Sequence, residues 1–410
     1  MKYGLIGEKL GHSYSKDIHE ELADYKYELK EIARQDLDSF MQAKDFKAIN
    51  VTIPYKQDVI KYLDWKSEAL EEIGACNAIV NRDGKLYGYN FDAAGLEALI
   101  KHANVEIKDK TVVILGSGGT SKTAQYVVKK LGCKSLIVAS SSGKPGTVKY
   151  DDIPSDIEVI INTTPCGMYP NNYTQAISLN RFHSLKGVID VVYNPLRTQL
   201  IIEAKKRGIP AESGLYMLVA QAFYGAQEFL GKKLDPNKID SIYKDILKKK
   251  RNVVLIGMPT SGKSTSGKKL SSILNKQFID TDEVILKMIE GSISDFIHKE
   301  GEQRFRDLET EVVKESAKQC GSVIATGGGA ILREKNIDAL RQNGVIYFLD
   351  RPLSNLQVAS DRPLSSSRDS LTKMFSDRYN IYCGCADVIV EAKGRGVAGV
   401  VNRIKKEEEK

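Results

Sequence analysis

The chain has 410 residues, of which 42% are hydrophobic and 28% are charged, and its formal net charge is +7. This length predicts two or three domains, and the composition is typical of globular proteins that bury a core. The mild positive charge suits anionic small molecules and argues against a nucleic-acid partner, for which a clustered basic face is expected. The sequence shows no stretch of about 18 apolar residues and no apolar leader core, so we expect no membrane partner and a cytoplasmic location.

Short apolar runs alternate with amphipathic stretches along the chain, a pattern that predicts βαβ units and parallel sheets. The clearest helical periodicity covers residues 91–103, 214–231 and 301–319. The predicted strands cover residues 3–7, 48–53, 111–116, 135–140, 159–164, 187–193, 252–257, 322–328 and 344–350.

The charged segment K-K-K-R at residues 248–251 separates two parts of the chain. A new predicted strand starts after it, directly before a glycine-rich loop. We therefore expect an α/β protein of two units, residues 1–247 and 251–410. We also expect the terminal segment I-K-K-E-E-E-K to be frayed.

Polar residues of the first unit cluster in three short motifs. N-V-T-I-P-Y-K ends a predicted strand and contains Asn50, Thr52 and Lys56, while Asn77 and Asp92 lie in G-A-C-N-A-I-V and G-Y-N-F-D. A lysine and an aspartate in one pocket can share proton transfer at a carbonyl or alcohol oxygen. Taken singly, each of these residues is more often a surface charge or a helix cap than a catalytic group.

A glycine-rich turn follows the strand at residues 111–116 and opens a predicted helix. Its spacing resembles the dinucleotide-binding fingerprint, with serine at the third glycine position. The next strand ends in A-S-S-S-G-K without the acidic residue that holds a ribose hydroxyl, which leaves room for a 2′-phosphate. The candidate cofactor-binding residues are Gly116, Gly118, Gly119, Ser121, Ser140, Ser141 and Lys144.

The second unit opens with a strand, the loop G-M-P-T-S-G-K-S-T and a helix, which is the order that a phosphate loop requires. Gly257 and Gly262 let backbone N–H groups converge on phosphate oxygens. Lys263 is predicted to reach the β- and γ-phosphates, and the Ser264 hydroxyl to bind Mg²⁺. Thr265 completes the predicted nucleotide-binding loop.

Two further motifs of the second unit are candidates for an acceptor site. In F-I-D-T-D, Asp280 and Asp282 are two residues apart, so on one strand they share a face, one toward a Mg²⁺ ion and one toward an acceptor hydroxyl. The alternative is a helix cap, because D-T-D-E-V is typical of a helix start. Three glycines at 327–329 follow a predicted strand and either let a ligand approach the backbone or form a flexible turn.

In the second unit the phosphate loop, F-I-D-T-D, G-E-x-x-F-R-x-x-E, T-G-G-G, R-P-L and a late D-R-Y-N-I-Y occur in the order seen in shikimate kinases. The resemblance covers nearly all of residues 252–390. It implies that Asp282 contacts the reacting hydroxyl of shikimate and that Asp280 lies near Mg²⁺. It also implies substrate-binding roles for Arg306, Arg378, Gly327, Gly328 and Gly329, and a nucleotide-binding lid arginine at Arg362.

The first unit resembles shikimate dehydrogenases over about residues 3–235, through G-L-I-G-E-K-L-G-H-S-Y-S, the three polar motifs, the glycine-rich turn, I-N-T-T-P-C-G-M, D-V-V-Y-N-P-L-R-T-Q-L and G-L-Y-M-L-V-A-Q-A. The resemblance implies that Ser13 and Ser15 bind the substrate carboxylate and that Lys56 and Asp92 are the catalytic pair. Its further implied contacts are Thr52, Asn77 and Gln221 for substrate hydroxyls, and Met217 and Tyr193 beside the nicotinamide and the substrate.

Together the resemblances imply a substrate subdomain (about 1–103 and 214–247), a Rossmann-like dinucleotide-binding subdomain (about 104–213) and a P-loop kinase domain with a parallel sheet (251–410). The implied function is NADPH-dependent reduction of 3-dehydroshikimate to shikimate, followed by phosphorylation of shikimate with ATP and Mg²⁺. The alternatives are a quinate-type dehydrogenase joined to another small-polyol kinase, or a non-catalytic regulator that senses a metabolite. The sequence does not set the oligomeric state.

The sequence departs from both families at several positions. Lys16 stands where the dehydrogenases usually have proline, and Phe91 replaces the usual threonine of N-T-D. A-S-S-S replaces the common N-R-T, whose arginine binds the 2′-phosphate, so NADP(H) is favoured while NAD or dual use stays open. The stretch before R-P-L in the kinase unit also lacks the further arginine often found there.

Overall fold

The structure is a computed structural model and describes residues 1–11, 14–357, 367–392, 394 and 396–409. The chain divides into two compact units, Met1–Asp245 and Ile246–Lys410. The predicted α/β fold class with parallel sheets is confirmed. Within the described part of the chain, no helix is long and apolar enough to cross a membrane.

The first unit contains two sheets and the helices that cover them. Its strands are β1 (Tyr3–Gly7), β2 (Glu28–Glu31), β3 (Ala48–Val51), β4 (Trp65–Lys66), β5 (Ala78–Arg82), β6 (Lys85–Tyr89), β7 (Thr111–Leu115), β8 (Ser135–Ala139), β9 (Val159–Asn162), β10 (Gly187–Asp190) and β11 (Ala211–Ser213). Its helices are α1 (Ser15–Leu22), α2 (Leu37–Ala43), α3 (Glu68–Ile73), α4 (Asp92–His102), α5 (Gly119–Lys130), α6 (Gln199–Lys206) and α7 (Leu215–Leu230).

The first sheet has the order β2-β1-β3-β5-β6-β4 and is mixed. Strands β1, β2 and β3 are parallel, whereas β5 pairs antiparallel with both β3 and β6. Every residue of β3 is buried, which is the pattern of a central strand covered on both faces. The polar residues that follow the carboxyl ends of β1 and β3 are therefore anchored by a buried part of the sheet.

The second sheet has the order β11-β10-β9-β7-β8, and all its strands are parallel. The chain leaves β7 for β8 on one side and returns to β9 on the other, so the strand order reverses at β7. In open α/β sheets ligands bind at such a switch point, beside the carboxyl ends of the strands. The predicted dinucleotide turn begins there, at Gly116.

The boundary between the units falls in helix α8 (Asn237–Lys250). The strands of the second unit are β12 (Asn252–Ile256), β13 (Gln277–Asp280), β14 (Ser322–Ala325), β15 (Gly344–Asp350) and β16 (Val388–Glu391). Its further helices are α9 (Lys263–Leu274), α10 (Thr281–Leu286), α11 (Ile293–Glu300), α12 (Glu302–Lys318), α13 (Glu334–Asn343), α14 (Arg368–Cys385) and α15 (Val397–Glu408).

The sheet of the second unit is parallel in the order β13-β14-β12-β15-β16, with the buried strand β12 at its centre. Helix α15 packs on α9 over this sheet through Val400, Val401 and Ile404. The expectation of a frayed tail is wrong, because the helix runs to Glu408, which is 4% exposed. Its carboxylate is paired with Arg251 at 3.0 Å and accepts a hydrogen bond from Tyr347.

Candidate active sites

The two candidate catalytic residues of the first unit, Lys56 and Asp92, are in direct contact. Lys56 lies beyond the end of β3 and Asp92 begins α4, and the Lys56 Nζ is 2.6 Å from the Asp92 Oδ2. Asn77 donates from Nδ2 to the Asp92 Oδ1 at 2.9 Å, and its own Oδ1 accepts from the Phe91 backbone N–H at 2.7 Å. The carboxylate is thus fixed on one side and holds the ammonium group on the other.

The pair lines a cavity of about 320 Å³. Residues from near the start and near the end of the first unit's sequence also line it. Ser13 lies outside the described residues. The cavity brings together the other predicted catalytic and substrate-contact residues of this unit, namely Ser15, Thr52, Lys56, Asn77, Asp92, Tyr193, Met217 and Gln221.

Asn50 also lines the cavity, although the sequence reasoning gave it no role of its own. Its Oδ1 accepts from the buried Tyr27 hydroxyl at 2.6 Å, and its Nδ2 donates to the Asn77 carbonyl at 3.2 Å. The available signal was its spacing of two residues from Thr52 at the end of a strand. Lys9 and Thr120 line the cavity too. They lie within the motif G-L-I-G-E-K-L-G-H-S-Y-S and the glycine-rich turn, but the sequence reasoning gave neither a role.

Phe91 turns away from this polar network. Its ring stacks on Tyr89 with centroids 5.2 Å apart and packs in a cluster with Tyr27 and Phe229. The departure from the usual threonine thus adds an aromatic side chain to the core beside the cavity.

The glycine-rich turn has the geometry of an anion-binding helix start. Gly116 has a φ of 104°, and a Cβ there would lie 2.9 Å from the Thr163 Oγ1, so glycine is required. A Cβ on Gly118 or Gly119 would meet nothing within 4 Å, which leaves the N-terminus of α5 accessible to a ligand. Ser121 is buried inside α5, where its hydroxyl accepts from the Gln125 amide at 3.3 Å.

The loop after β8 uses Ser140 internally. Its Oγ lies 2.9 Å from the Thr147 Oγ1 and accepts from the Lys144 backbone N–H at 3.3 Å. Ser141 and the Lys144 side chain are exposed beside it. Lys149, which the sequence reasoning missed, lies over the same loop, since a Cβ on Gly143 would be 3.1 Å from its Cγ.

The phosphate loop of the second unit joins β12 to α9. The buried Lys263 donates from Nζ to the carbonyls of Gly257 at 2.9 Å and Met258 at 3.0 Å, so the ammonium group lies within the loop. Gly262 precedes α9 with a φ of 93°, a backbone conformation that favours glycine. Thr265 is exposed in the first turn of the helix.

The predicted metal-binding residues are in contact, because the Ser264 hydroxyl donates to the Asp280 Oδ2 at 2.6 Å. The idea that Asp280 and Asp282 share a strand face is wrong, since β13 ends at Asp280 and Asp282 is in the first turn of α10. The Asp280 Oδ1 caps that helix by accepting from the backbone N–H of Asp282 at 3.0 Å. No group of three or more His, Cys, Asp or Glu side chains suited to a metal is found in the described residues. One hydroxyl and one carboxylate fit Mg²⁺, which keeps water and phosphate ligands.

Arg306 lies on α12 with its guanidinium buried between carboxylates. It donates from Nη1 to the Glu309 Oε2 at 2.8 Å and from Nη2 to the Glu302 Oε1 at 3.1 Å. Burial raises the pKa of the Glu309 carboxyl, and the charge of Arg306 opposes this. Burial tends to lower the pKa of Arg306, but both carboxylates more than offset it and the pKa is raised.

The glycine triplet gathers the remaining predicted residues. A Cβ on Gly327 would be 2.5 Å from the Asp282 Oδ1 and 2.9 Å from the Glu309 Oε1, so both carboxylates touch this glycine. A Cβ on Gly329 would overlap the guanidinium of Arg306. Gly327 and Gly329 therefore let these side chains approach the backbone closely, which the flexible-turn alternative does not account for.

Arg378 completes the cluster from α14. Its Nη1 donates to the carbonyl of Gly328 at 3.1 Å, and the Tyr382 hydroxyl, one turn later, donates to the same oxygen at 2.6 Å. The roles of Tyr382 and Glu309 were missed, although their spacings of four and three residues from the predicted arginines place each on its arginine's helix face. Arg362 lies outside the described residues.

Family models match both units. One described as shikimate dehydrogenase substrate binding domain matches residues 5–79, and one described as shikimate kinase matches residues 259–408. A shikimate dehydrogenase (NADP(+)) of Clostridium perfringens (strain 13 / Type A) is 34% identical over 264 residues, which cover 60% of this chain and 97% of that protein. The chain belongs to the shikimate dehydrogenase family. A shikimate kinase domain follows at its carboxyl end.

Solved shikimate dehydrogenases share the fold of the first unit. The crystal structure of shikimate dehydrogenase 1 from Peptoclostridium difficile is 34% identical, with 60% of this chain and 98% of that chain covered and a TM-score of 0.54. A chorismate mutase/shikimate 5-dehydrogenase fusion protein from Clostridium acetobutylicum is 32% identical, with 60% and 97% covered and a TM-score of 0.57. Fusion of a shikimate dehydrogenase to a second enzyme thus has a precedent, and this chain is a bifunctional oxidoreductase and kinase of the shikimate pathway.

Proposed function

We propose that the first unit reduces 3-dehydroshikimate to shikimate with NADPH and that the second phosphorylates the 3-hydroxyl of shikimate with ATP. The observation that carries this proposal is the Lys56–Asp92 contact of 2.6 Å in the cavity that the predicted substrate residues line. Because the product of the first reaction is the substrate of the second, each assignment supports the other.

In the reductase, bound NADPH supplies a hydride to the carbonyl carbon. Lys56 donates a proton to the carbonyl oxygen as negative charge develops there, and Asp92 keeps the ammonium group oriented. Asn77 holds the Asp92 carboxylate at 2.9 Å and leaves one oxygen for the lysine. Such a preset pair needs little rearrangement when the substrate binds.

The walls of the cavity provide hydrogen-bonding groups for a small polyhydroxy acid. We assign the substrate carboxylate to Ser13 and Ser15, and the ring hydroxyls to Thr52, Asn77 and Gln221. Of these, the four within the described residues line the cavity together. Tyr193 adds an aromatic wall, and Met217 an apolar one for the nicotinamide ring.

NADPH is assigned to the glycine-rich turn and the loop after β8. The accessible start of α5 suits the pyrophosphate. Ser141 and the two lysines, Lys144 and Lys149, present exposed donors for a 2′-phosphate, while Ser140 holds the loop in shape. A preference of at least tenfold for NADPH over NADH in kcat/KM is expected, and equal use of both cofactors would contradict the 2′-phosphate site.

In the kinase, Lys263 and the loop backbone hold the phosphates of ATP, and Ser264 and Asp280 hold Mg²⁺, which neutralises developing phosphate charge when bound. Asp282 accepts the proton of the attacking hydroxyl. Arg306 and Arg378 bind the substrate carboxylate, since each guanidinium has five N–H donors and retains some beyond its contacts with protein. Arg362 is assigned a nucleotide-binding role because it belongs to the R-P-L motif.

A two-stage assay tests the proposal. The full chain is incubated with 3-dehydroshikimate and NADPH, NADPH oxidation is followed by absorbance, and ATP with Mg²⁺ is then added. We expect shikimate to accumulate first and to be converted to shikimate 3-phosphate only after ATP is added. For comparison, the reverse reaction is measured as oxidation of shikimate and of quinate. Oxidation of quinate as fast as that of shikimate would favour the quinate-type alternative.

A further inference from the structure

Arg351 lies beside the phosphate loop, although no motif assigns it a role. It follows directly after β15, which pairs in parallel with the phosphate-loop strand β12 through Ile256 and Phe348. The two strand ends are in close contact, because a Cβ on Gly257 would lie 3.0 Å from the Leu349 carbonyl oxygen. Arg351 therefore leaves the sheet next to the first glycine of the loop.

The guanidinium of Arg351 extends along the loop toward the start of α9. A Cβ on Gly262 would be 3.9 Å from its Nη2, which places the group beside the residue before Lys263. The Arg351 Nε is buried and has no hydrogen-bond partner within the described part of the chain. A buried N–H without an acceptor is costly, and in a ligand site it marks the place of an absent acceptor.

The local charges favour the same interpretation. The N-terminus of α9 carries a partial positive charge, and the ammonium group of Lys263 lies within the same loop. A second cation at this point is unfavourable until an anion joins it. A polyphosphate provides negative charge for the three positive groups and an acceptor oxygen for the Arg351 Nε.

We propose that Arg351 binds the phosphate chain of the nucleotide at this loop. The inference rests on the proposed function, since it takes the loop to be the ATP site. It adds a guanidinium on a rigid strand end to the contacts of Lys263 and the loop backbone. The stretch before R-P-L lacks the further arginine that shikimate kinases often carry, and Arg351 supplies a cation from a different element.

The proposal is tested by equilibrium binding of Mg·ADP and of inorganic pyrophosphate to the full chain. Arg351→Gln should raise the Kd of both probes about tenfold to a hundredfold, as loss of a charge-assisted hydrogen bond does. Arg351→Lys should fall in between, because lysine keeps the charge but loses the planar fork. Arg403→Gln is the matched control, since Arg403 lies on α15 in a surface ion pair with Glu407 and is 51% exposed.

Each outcome decides between distinct conclusions. Unchanged binding in Arg351→Gln alongside loss in Lys263→Ala would overturn the inference and leave the proposed function standing. Weaker binding of Mg·ADP with unchanged binding of pyrophosphate would indicate that Arg351 contacts the nucleoside instead of the phosphates. That result would also overturn the inference. Failure of the unaltered chain to bind Mg·ADP would contradict the proposed function and the inference together. If Arg351→Gln does not fold, the Arg351→Lys variant decides, and binding equal to that of the unaltered chain then counts against the proposal.

Discussion

The Nζ of Lys56 and the Oδ2 of Asp92 lie 2.6 Å apart, although 36 residues separate them in the chain. The end of β3 supplies the lysine and the start of α4 supplies the aspartate. Asn77, from a third segment, fixes the carboxylate. The contact is partly buried, and it places an ammonium group at the wall of the cavity.

Replacement of Lys56 by alanine should remove the proposed proton donor of the reductase. We expect kcat for 3-dehydroshikimate reduction to fall by about 10²–10⁴-fold, the usual contribution of a positioned acid or base. Kinase activity on added shikimate should stay unchanged, and both activities can be measured on one preparation. Lys61→Ala is the control, because Lys61 forms an exposed ion pair with Asp38. Full reductase activity in Lys56→Ala would rule out the assigned role.

Replacement of Lys263 by alanine should have the reverse effect. The buried ammonium group lies in the phosphate loop, and its loss should reduce phosphorylation of shikimate at least a hundredfold while reduction of 3-dehydroshikimate continues. Lys269→Ala removes an exposed lysine from the same helix and should change neither rate. Loss of both activities in Lys263→Ala would show that the two units do not act independently.

A side chain at Gly329 should act on Arg306, because a Cβ there would overlap its guanidinium. Gly329→Ala is expected to displace that guanidinium and raise the KM for shikimate at least tenfold, with a smaller effect on the KM for ATP. The matched control is Gly384→Ala, since a Cβ at Gly384 meets nothing within 4 Å and the residue lies in α14. Both KM values are measured by steady-state kinetics. Equal KM values for shikimate in the two alanine variants would contradict the assigned contact between Gly329 and Arg306.

The pair of Glu408 and Arg251 should stabilise the second unit. Glu408→Gln weakens a buried ion pair and the contact with the Tyr347 hydroxyl, so we expect a loss of about 1–3 kcal/mol in the free energy of unfolding. Unfolding of this unit is followed by the loss of kinase activity with increasing urea concentration. Trp65, the single tryptophan, reports the first unit by its fluorescence, which should be unaffected.

The control for that experiment is Glu409→Gln, because the ion pair of Glu409 with Lys405 at 3.5 Å is about half exposed. Exposed pairs contribute at most about 1 kcal/mol. Equal midpoints for Glu408→Gln and the unaltered chain would mean that the end of α15 contributes nothing to the stability of the unit.

His19 should make the stability of the first unit depend on pH. Burial lowers the pKa of its imidazole to about 3, against a hydrogen bond with Asn50 that raises it. The unfolded chain binds a proton near the ordinary value of about 6.5, so the stability is complete above that pH and falls below it. Each pH unit between about 6.5 and 3 should remove about 1.4 kcal/mol.

His19→Phe tests this dependence, because phenylalanine keeps the stacking on Tyr27 and Phe229 but cannot titrate. Urea unfolding followed by Trp65 fluorescence at pH 7 and pH 5 should show a smaller decrease for the variant. His183→Phe replaces an exposed histidine and should leave the decrease as it is. The same decrease in all three proteins would mean that other groups cause it.

The periodicity of the sequence predicted many elements to within a few residues. Residues 91–103 and 214–231 were predicted as helices, and the structure has Asp92–His102 and Leu215–Leu230. The strand prediction 322–328 ran past Ala325, because the apolar and small residues continue into the glycine turn of the site. β2 was missed, since most of its residues are polar and exposed.

The sequence by itself determined the fold class, the positions of both nucleotide-type loops and the families that the two units belong to. These depend on local periodicity and on motifs within short segments, which the chain carries before it folds. Only the tertiary structure decided that Asp282 is on a helix, that Glu309 neutralises Arg306, and that Arg351 lies along the phosphate loop. Such contacts join segments that are distant in the chain or depend on burial, and burial is a property of the assembled core.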